Sequence, residues 1–540
     1  MLAINAKYVH SALAVWLLGA AVEKYACTPH QVEVIEATIH QSDEEIAGLV
    51  AAHCPDVVGV STYIWNGGKL PEILRLLREM LPSAVFVLGG PEASYNVDFW
   101  LERGADYVIE GEGEGKLPAL LDALAGDSDA GPITPAGLTN PAAIIEPVGP
   151  ANPTTHIDPY NHAYLSTLKG KLAYLETSRG CPFRCAFCLS GGYDGLEFTP
   201  IETAKDQILK LSHTGVKTIK FVDRTFNCNP ARAYDIFEYV ISLETNCCFH
   251  FEVAADLFDQ PTLRLLAAAP PGRIQLEAGL QSFHEPALAA VTRKMNMPKA
   301  EENLLTLIKN GNIHIHVDLI AGLPYETLVD FRGSFNRAYM LGAHNLQLGF
   351  LKLLHGSTLR KQASQLGIQY HQAPPYEIIS SPWLSKNDIH VLKQAENPLR
   401  HTYNKSRFLS TLEYVLSVSG QSPFEIYKAL GKSIQNHGLS LEIYAGYIYD
   451  CLRNIEKVDE SELQKHMICD WLTMVRGKNM PQFLRMPDPK RKEAVSAVEK
   501  ILKRKISREE VAFLPSGESV YIDAVDRDPV TGLYRLYEHI

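Results

Sequence analysis

The run Ser178-Arg179-Gly180-Cys181-Pro182-Phe183-Arg184-Cys185-Ala186-Phe187-Cys188 places three thiols on one short segment with the spacing Cys-x3-Cys-x2-Cys. Three thiolates on a tight loop can each hold one iron of a [4Fe–4S] cube. The fourth iron then has no protein ligand, and an open coordination position lets a metal bind and activate a small molecule. A structural zinc site wants four ligands. The nearest further thiol, Cys228, lies 40 residues beyond Cys188, past another expected strand. Zinc and unliganded thiols are the competing readings. The other seven of the ten cysteines are scattered, so no disulfide framework is expected. In an enzyme-sized chain, such clustering points to metal binding or catalysis in a reducing cytosol.

The elements that must position this loop are legible around it. From residue 171, strand-like runs at 172–178, 218–223, 248–254, 273–279, 314–320 and 346–353 alternate with helical stretches at 201–213, 230–243, 261–269, 285–292 and 299–309. Six such units fit a partial barrel better than a closed eight-stranded one. Residues 1 to about 125 show the same alternation: strands at 32–37, 57–62, 85–89 and 107–111, helices at 43–53, 69–81 and 97–103. That pattern implies a parallel sheet, whose ligands sit at the carboxyl ends of the strands. Those ends are Ser61-Thr62, Gly89-Gly90-Pro91-Glu92 and Gly111-Glu112-Gly113-Glu114. Residues 126–165 are rich in Pro, Gly, Ala, Asn and Thr and read as a linker or an extended wrap. From about 371 the strand signals fade into helices at 406–418, 423–437, 440–454 and 460–475, with β-like ends at 519–524 and 532–537. The expected class is α/β. The expected domains are 1–125, a linker 126–165, a barrel 166–370 and a mainly helical domain 371–540.

Composition narrows the partners. Hydrophobic residues make up 46% and charged residues 21% of 540, and the formal charge is −11. This is globular composition with no global pull toward nucleic acid or an anionic membrane. A local basic run lies at 490–505. No apolar stretch reaches the ~20 residues that span a bilayer. The apolar run 12–22 follows Lys7, but Glu23 and Lys24 close it at once, so a cytoplasmic protein is expected.

The cysteine segment, with Phe187 before the last thiol, resembles the radical S-adenosylmethionine (SAM) superfamily over about residues 171–362. The resemblance implies that Cys181, Cys185 and Cys188 ligate the cluster. The amino and carboxylate groups of SAM would chelate the free iron, and one electron would cleave SAM to methionine and a 5′-deoxyadenosyl radical. It also implies SAM contacts from Phe187, from Asp223 (in Phe221-Val222-Asp223-Arg224-Thr225-Phe226-Asn227) to the methionine ammonium, and from Glu252 to the ribose. Glu252 is equally well read as a simply paired carboxylate. Further contacts are implied for Gln281 and Ser282, in Glu277-Ala278-Gly279-Leu280-Gln281-Ser282, and for Gly322, in the Gly-Leu-Pro turn that usually lies beside adenine. Gly191-Gly192 stands apart from these and reads also as a plain turn.

The N-terminal pattern resembles the flavodoxin-like cobalamin-binding domain of B12-dependent radical SAM enzymes. It implies cobalamin contacts at Ser61, Thr62, Gly89, Gly90, Glu92, Gly111 and Gly113. The Asp-x-His-x-x-Gly motif of many cobalamin proteins is absent; His10 and His53 do not stand in it. The lower face of cobalt is then empty, water-bound, or met by a residue such as Tyr63 or Trp65, and His10 reads best as a strand-end residue. With Ile4-Asn5-Ala6-Lys7-Tyr8-Val9-His10-Ser11 and the helical C-terminal region, the whole chain looks like a B12-binding radical SAM subfamily with a C-terminal domain of unknown function.

The activity implied is methylation of an unactivated carbon of a small-molecule substrate through methylcobalamin, with SAM, cobalamin and a [4Fe–4S] cluster as cofactors. A low-potential electron donor such as flavodoxin or ferredoxin is implied too. The alternatives are a B12-dependent cyclisation or rearrangement without methyl transfer, and a non-catalytic cobalamin or redox sensor. A methylthiotransferase would carry three more cluster cysteines at its N-terminus, where only Cys27 and Cys54 stand. In the C-terminal domain Tyr444, Tyr447 and Tyr449 read as core packing more than substrate contacts. Cys451 and Cys469 read as buried apolar residues, and His355 is a weak candidate for a substrate contact.

Overall fold

The computed structural model describes residues 1–126, 157–192, 195–434 and 438–538. The linker expected at 126–165 therefore lies largely outside the described residues. The chain divides into two compact units, Met1–Glu252 with Lys352–Ile378, and Val253–Leu351 with Ile379–Ile540. Three of the six expected barrel strands fall in each. No helix among the described residues is long and apolar enough to cross a membrane.

In the first unit, strands β1 (Leu2–Asn5), β2 (Ile35–Thr38), β3 (Val57–Ser61), β4 (Val85–Gly89) and β5 (Tyr107–Ile109) form a parallel sheet in the order β2-β1-β3-β4-β5. This is the flavodoxin-like order, and its switch point falls between β1 and β3. Alternate strand residues pack on opposite faces. On one face Phe86, Leu88 and Val108 meet Ile46 of helix Asp43–Ala51 and Leu70, Ile73, Leu74 and Leu77 of helix Leu70–Met80. On the other, Val87 and Ile109 meet Val22, Leu117 and Leu120. Helix Asp43–Ala51 starts where it does because Ser42 and Glu45 form a capping box that satisfies two end N–H groups.

The same unit holds β6 (Ala173–Leu175), β7 (Ser178–Gly180), β8 (Leu196–Phe198), β9 (Thr218–Phe221) and β10 (Cys248–Val253). β6, β9 and β10 are parallel, with β9 central. Behind them Phe221, Phe226, Phe237 and Phe251 pack ring to ring, centroids 4.3–5.3 Å apart. β7 and β8 form an antiparallel pair, Ser178 opposite Phe198 and Gly180 opposite Leu196. The sequence reading ran β6 on through Ser178. The chain instead turns at Glu176-Thr177 and pairs with a strand beyond the cysteine loop.

The second unit contains β11 (Ile274–Gln281), β12 (His314–Ala321) and β13 (Asn345–Phe350), parallel in that order. Strict alternation buries Leu276, Ala278, Leu280, Ile315, Val317 and Leu319, and leaves Glu277, Gln281, His316 and Asp318 on the half-buried face. Its helical part comprises Lys386–His401, Leu409–Ser419, Pro423–Ser433, Leu441–Leu452, Glu460–Met474 and Arg491–Leu502. A three-stranded antiparallel sheet of Val511–Phe513, Ser519–Arg527 and Tyr534–Glu538 follows. Helix Lys386–His401, absent from the sequence expectations, packs closely on Pro423–Ser433. A Cβ on Gly431 would stand 1.8 Å from the carbonyl oxygen of Gln394.

Candidate functional site

The cysteine loop is pinned at both ends. Gly180 takes φ +96°, a conformation that glycine adopts without strain, as the chain leaves β7. Cys188 N–H donates to Cys185 O at 3.0 Å, and Leu359 N–H donates to Ala186 O at 2.8 Å. Cys185 is buried and Cys181 and Cys188 are half-buried. Among the described residues, the compact group able to close on a single ion is Glu277, His316 and Asp318, and it contains none of these cysteines. The three sulfurs therefore do not all lie within 4.8 Å of one another. Cys181 Sγ lies 3.4 Å from Thr225 Oγ1. Cys228, distant in sequence, comes near this loop: burial raises its thiol pKa, with Cys181 and Asp223 adding to the rise.

Asp223 lies two residues beyond the end of β9. It is 1% exposed and accepts from Thr177 N–H (2.9 Å), Thr177 Oγ1 (2.7 Å) and Ser178 Oγ (2.6 Å). Burial pushes its carboxyl up to about 6. It holds the turn between β6 and β7 that leads into the cysteine loop. Glu252 lies 3.5 Å from Lys220 Nζ, the paired reading of that residue. Phe187 is half-buried. Gly191 and Gly192 end a short 3-10 turn, Leu189–Gly192.

In the second unit Gln281 sits at φ +71° at the bulged end of β11, its Nε2 folded over Gly279, where a Cβ would stand 2.2 Å away. Arg293, which the sequence reading passed over, donates Nη2 to Gly279 O at 2.7 Å. Ser282 is fully buried and its hydroxyl donates to Glu326, while His284 N–H donates to Ser282 Oγ at 2.8 Å. Its hydroxyl thus joins the two turns through protein partners. Glu326 is also fully buried and accepts from Ser334 Oγ at 3.3 Å; burial pushes it up to about 7. This knot ties the Gln281-Ser282 turn to the turn containing Gly322, which is buried at φ +101°. Nearby on β11 and β12, His316 Nε2 lies 3.0 Å from Asp318 Oδ1, and Nδ1 lies 3.9 Å from Glu277 Oε2.

At the carboxyl edge of the first sheet, Thr62 N–H and Oγ1 both donate to Gly89 O (2.7 and 2.9 Å), and Thr62 Oγ1 accepts from Ala93 N–H at 2.8 Å. Thr62 is fully buried, so it braces the β4 turn. Gly90 follows at φ +102°, where a Cβ would stand 2.6 Å from Thr62 O. Ser61 Oγ reaches Leu2 O at 3.5 Å, and Gly89 is half-buried. Glu92 is buried and accepts from the Tyr376 phenol, which burial and this carboxyl hold far above its ordinary range. Glu92 thus anchors the segment 352–378, in which His355 packs edge-on against Tyr376 with centroids 4.9 Å apart. Burial lowers His355 to about 4. Gly113 serves packing, since a Cβ there would stand 2.8 Å from Leu18 Cδ2. Gly111, exposed at φ +70°, has open space around it. Tyr63 and Trp65 stack at 4.3 Å and 6°, Trp65 being 43% exposed with Nε1 donating to Ile4 O at 2.9 Å. A flat aromatic pair at the switch point, with a tight glycine turn and an open glycine beside it, fits a large planar ligand. His10 Nδ1 lies 2.6 Å from the Tyr174 hydroxyl, and burial lowers its pKa, as suits a strand-end residue. Tyr444 and Tyr449 are buried and Tyr447 is partly exposed.

One contact joins the sheet edge to the cysteine loop. The Arg179 guanidinium meets Glu114 at 2.8 Å, Glu112 at 3.1 Å and Glu176 at 2.6 Å. The Gly-Glu-Gly-Glu loop, read from sequence through its glycines, uses its carboxylates for this.

Family models match in three places: "B12 binding domain" over residues 1–121, "Radical SAM superfamily" over 175–338 and "Protein of unknown function (DUF4080)" over 364–518. The fold and the matches together define a B12-binding domain joined to a radical SAM domain. The chain is a B12-binding radical SAM superfamily protein with a C-terminal domain of unknown function. It is 25% identical over 320 residues to 2-(S-pantetheinyl)-carbapenam-3-carboxylate methyltransferase of Streptantibioticus cattleyicolor, covering 54% of this chain and 46% of that protein. It is 26% identical over 301 residues to an anaerobic magnesium-protoporphyrin IX monomethyl ester cyclase of Synechocystis, covering 53% and 60%. The chain thus spans about half the length of such curated relatives. The structure of the cobalamin-dependent S-adenosylmethionine radical enzyme OxsB with aqua-cobalamin bound matches with a TM-score of 0.59 at 14% identity, over 86% of this chain and 78% of that one, a likeness of fold.

Proposed function

We propose that this protein is a B12-dependent radical SAM methyltransferase acting on an unactivated carbon of a small molecule. The observation that carries the reading is a three-thiol loop, spaced for a cube with one open iron, held in the same compact unit as a flavodoxin-order sheet whose carboxyl edge suits a corrin. When bound, the cluster supplies the electron that breaks SAM, and cobalamin supplies the methyl carrier. The chain's own work is placement. Cys181, Cys185 and Cys188 hold the cluster. Gly90, Gly111 and the Tyr63–Trp65 plate would receive the corrin. Gln281 and the Gly322 turn, fixed by Glu326, present backbone and amide groups to SAM. The half-buried Glu277, His316 and Asp318 offer hydrogen-bonding groups to a polar substrate. A low-potential donor of the flavodoxin or ferredoxin class delivers the electron.

The likeness to a magnesium-protoporphyrin ester cyclase favours one second reading, ring formation without methyl transfer. The deciding experiment is anaerobic reconstitution with iron, sulfide and cobalamin, reduction by dithionite, and incubation with methyl-labelled SAM and candidate substrates. Release of 5′-deoxyadenosine with label in the product supports the methyltransferase. Release with an unlabelled product supports the cyclase-like reading, and absence of 5′-deoxyadenosine overturns both.

A further inference from the structure

We propose that Arg179 is a positioning residue through which the corrin-side loop of the B12-binding domain and the cluster-bearing loop sense one another's occupancy. The inference rests on the function proposed above and adds a residue and a coupling to it.

The chain of contacts is continuous. The turn after β4 runs through Gly90 into Ser94, whose hydroxyl accepts from Gly111 N–H at 3.1 Å. Gly111 opens the loop that carries Glu112 and Glu114, and Lys116 Nζ braces that loop by donating to Glu110 O at 2.7 Å. Arg179 Nη1 then meets Glu112 at 3.1 Å and Nη2 meets Glu114 at 2.8 Å. Arg179 is itself part of β7, opposite Glu197, two residues before Cys181. Only Gly180, the last residue of β7, separates Arg179 from the first thiol, and it bends the chain at φ +96°.

Charge makes this contact a lever. Three carboxylates surround one guanidinium, and the Glu114 side chain is 6% exposed while that of Arg179 is 19% exposed. Removing the cation leaves three like charges facing each other, with Glu112 and Glu176 at 31% and 30% exposure and Glu114 at 6%, so that water screens their repulsion only in part. The two loops then part. Glu176 lies on the chain that Asp223 fixes through Thr177 and Ser178, so the Arg179 end of the clamp is rigid. The Glu112–Glu114 end belongs to the edge where the corrin sits. A displacement of that loop by corrin is carried by the clamp to Cys181. Linkage requires the reverse as well: a cluster that favours one loop position alters cobalamin affinity by the same factor.

The test uses the full chain, reconstituted anaerobically, as wild type, Arg179→Lys, Arg179→Gln and the double variant Glu112→Gln/Glu114→Gln. Two quantities are read: hydroxocobalamin affinity with and without cluster, and the EPR line shape of the reduced cluster with SAM, with and without cobalamin. The expected wild-type result is an affinity change of roughly tenfold on loading the cluster, within the usual range of such couplings, and a line shape that shifts on adding cobalamin. In Arg179→Gln both effects collapse toward none while iron content holds, and Arg179→Lys restores part of each. Should Arg179→Gln fail to fold, the Glu112→Gln/Glu114→Gln protein, which keeps Arg179 and Glu176, is expected to show the same loss. A wild type that binds both cofactors without mutual effect overturns the coupling and leaves the proposed function standing. So does unchanged coupling in a folded Arg179→Gln protein. A wild type that takes up neither cluster nor cobalamin overturns the proposed function and the inference with it.

Discussion

At the scale of single residues, burial decides what each side chain does. Cys185 is the most buried of the three loop thiols and lies in the turn closed by Cys188 N–H. Replacing it with alanine removes one corner of the cube, and the protein is expected to lose its cluster iron and all reductive formation of 5′-deoxyadenosine. Cluster-bound iron and deoxyadenosine assays check this. Gly90 has no room for a side chain and an unfavourable φ for one, so Gly90→Ala is expected to cost about 3 kcal/mol. Its thermal midpoint and cobalamin uptake should fall together. Glu326 tests the pH side. Burial pushes its carboxyl up to about 7 in the fold from 4.5 when unfolded, against the opposing pull of its two hydroxyl partners. Folding therefore favours its neutral form. That contribution is complete below the unfolded value and is lost as pH rises through about 7. Glu326→Gln keeps the acceptor without the charge. Relative to wild type it should gain up to about 3 kcal/mol on going from about pH 4 to about pH 8, read from denaturant unfolding at both.

At the scale of elements, close backbone approach and antiparallel pairing do what hydrophobic periodicity cannot announce. Helix Pro423–Ser433 lies on helix Lys386–His401 through Gly431, which leaves no volume for even a methyl group against Gln394 O. Gly431→Ala is expected to destabilise this helical part by about 3 kcal/mol. Limited proteolysis should then cut between residues 386 and 433 before it cuts the first unit. The β7–β8 pair serves the cysteine loop in a comparable way. It converts the end of a barrel strand into a two-stranded arm with Arg179 on one side and the thiols beyond its tip.

At the scale of the whole molecule, the cofactor-bearing parts are unevenly distributed. The cysteine loop and the flavodoxin-order sheet belong to one compact unit, and Gln281, Gly322 and the helical region to the other. A ligand that binds only the folded state stabilises what holds it, by about 2.7 kcal/mol at a hundred times its dissociation constant. Added hydroxocobalamin should raise the thermal midpoint and slow amide exchange around Gly90 and Gly111; unchanged exchange there would contradict an assignment of the corrin to the first unit.

Much of this molecule is written in local pattern. The Cys-x3-Cys-x2-Cys loop, the alternation of β-branched runs with amphipathic helices, and the glycine-marked strand ends depend on residue type and spacing alone, so strands such as Val85–Gly89 and helices such as Pro423–Ser433 are legible at or near their ends. Partner choice is not local. The protein partners of Asp223, Ser282, Thr62 and Glu92 are Thr177, Glu326, Gly89 and Tyr376, which lie 27 to 284 residues away in sequence and are brought close only by folding. The same holds for Arg179, two of whose three carboxylates, Glu112 and Glu114, come from the B12-binding domain. Residue chemistry and periodicity set which cofactors this chain can hold. Long-range packing, which removes water and pairs charges irrespective of sequence distance, decided which protein groups each candidate side chain meets.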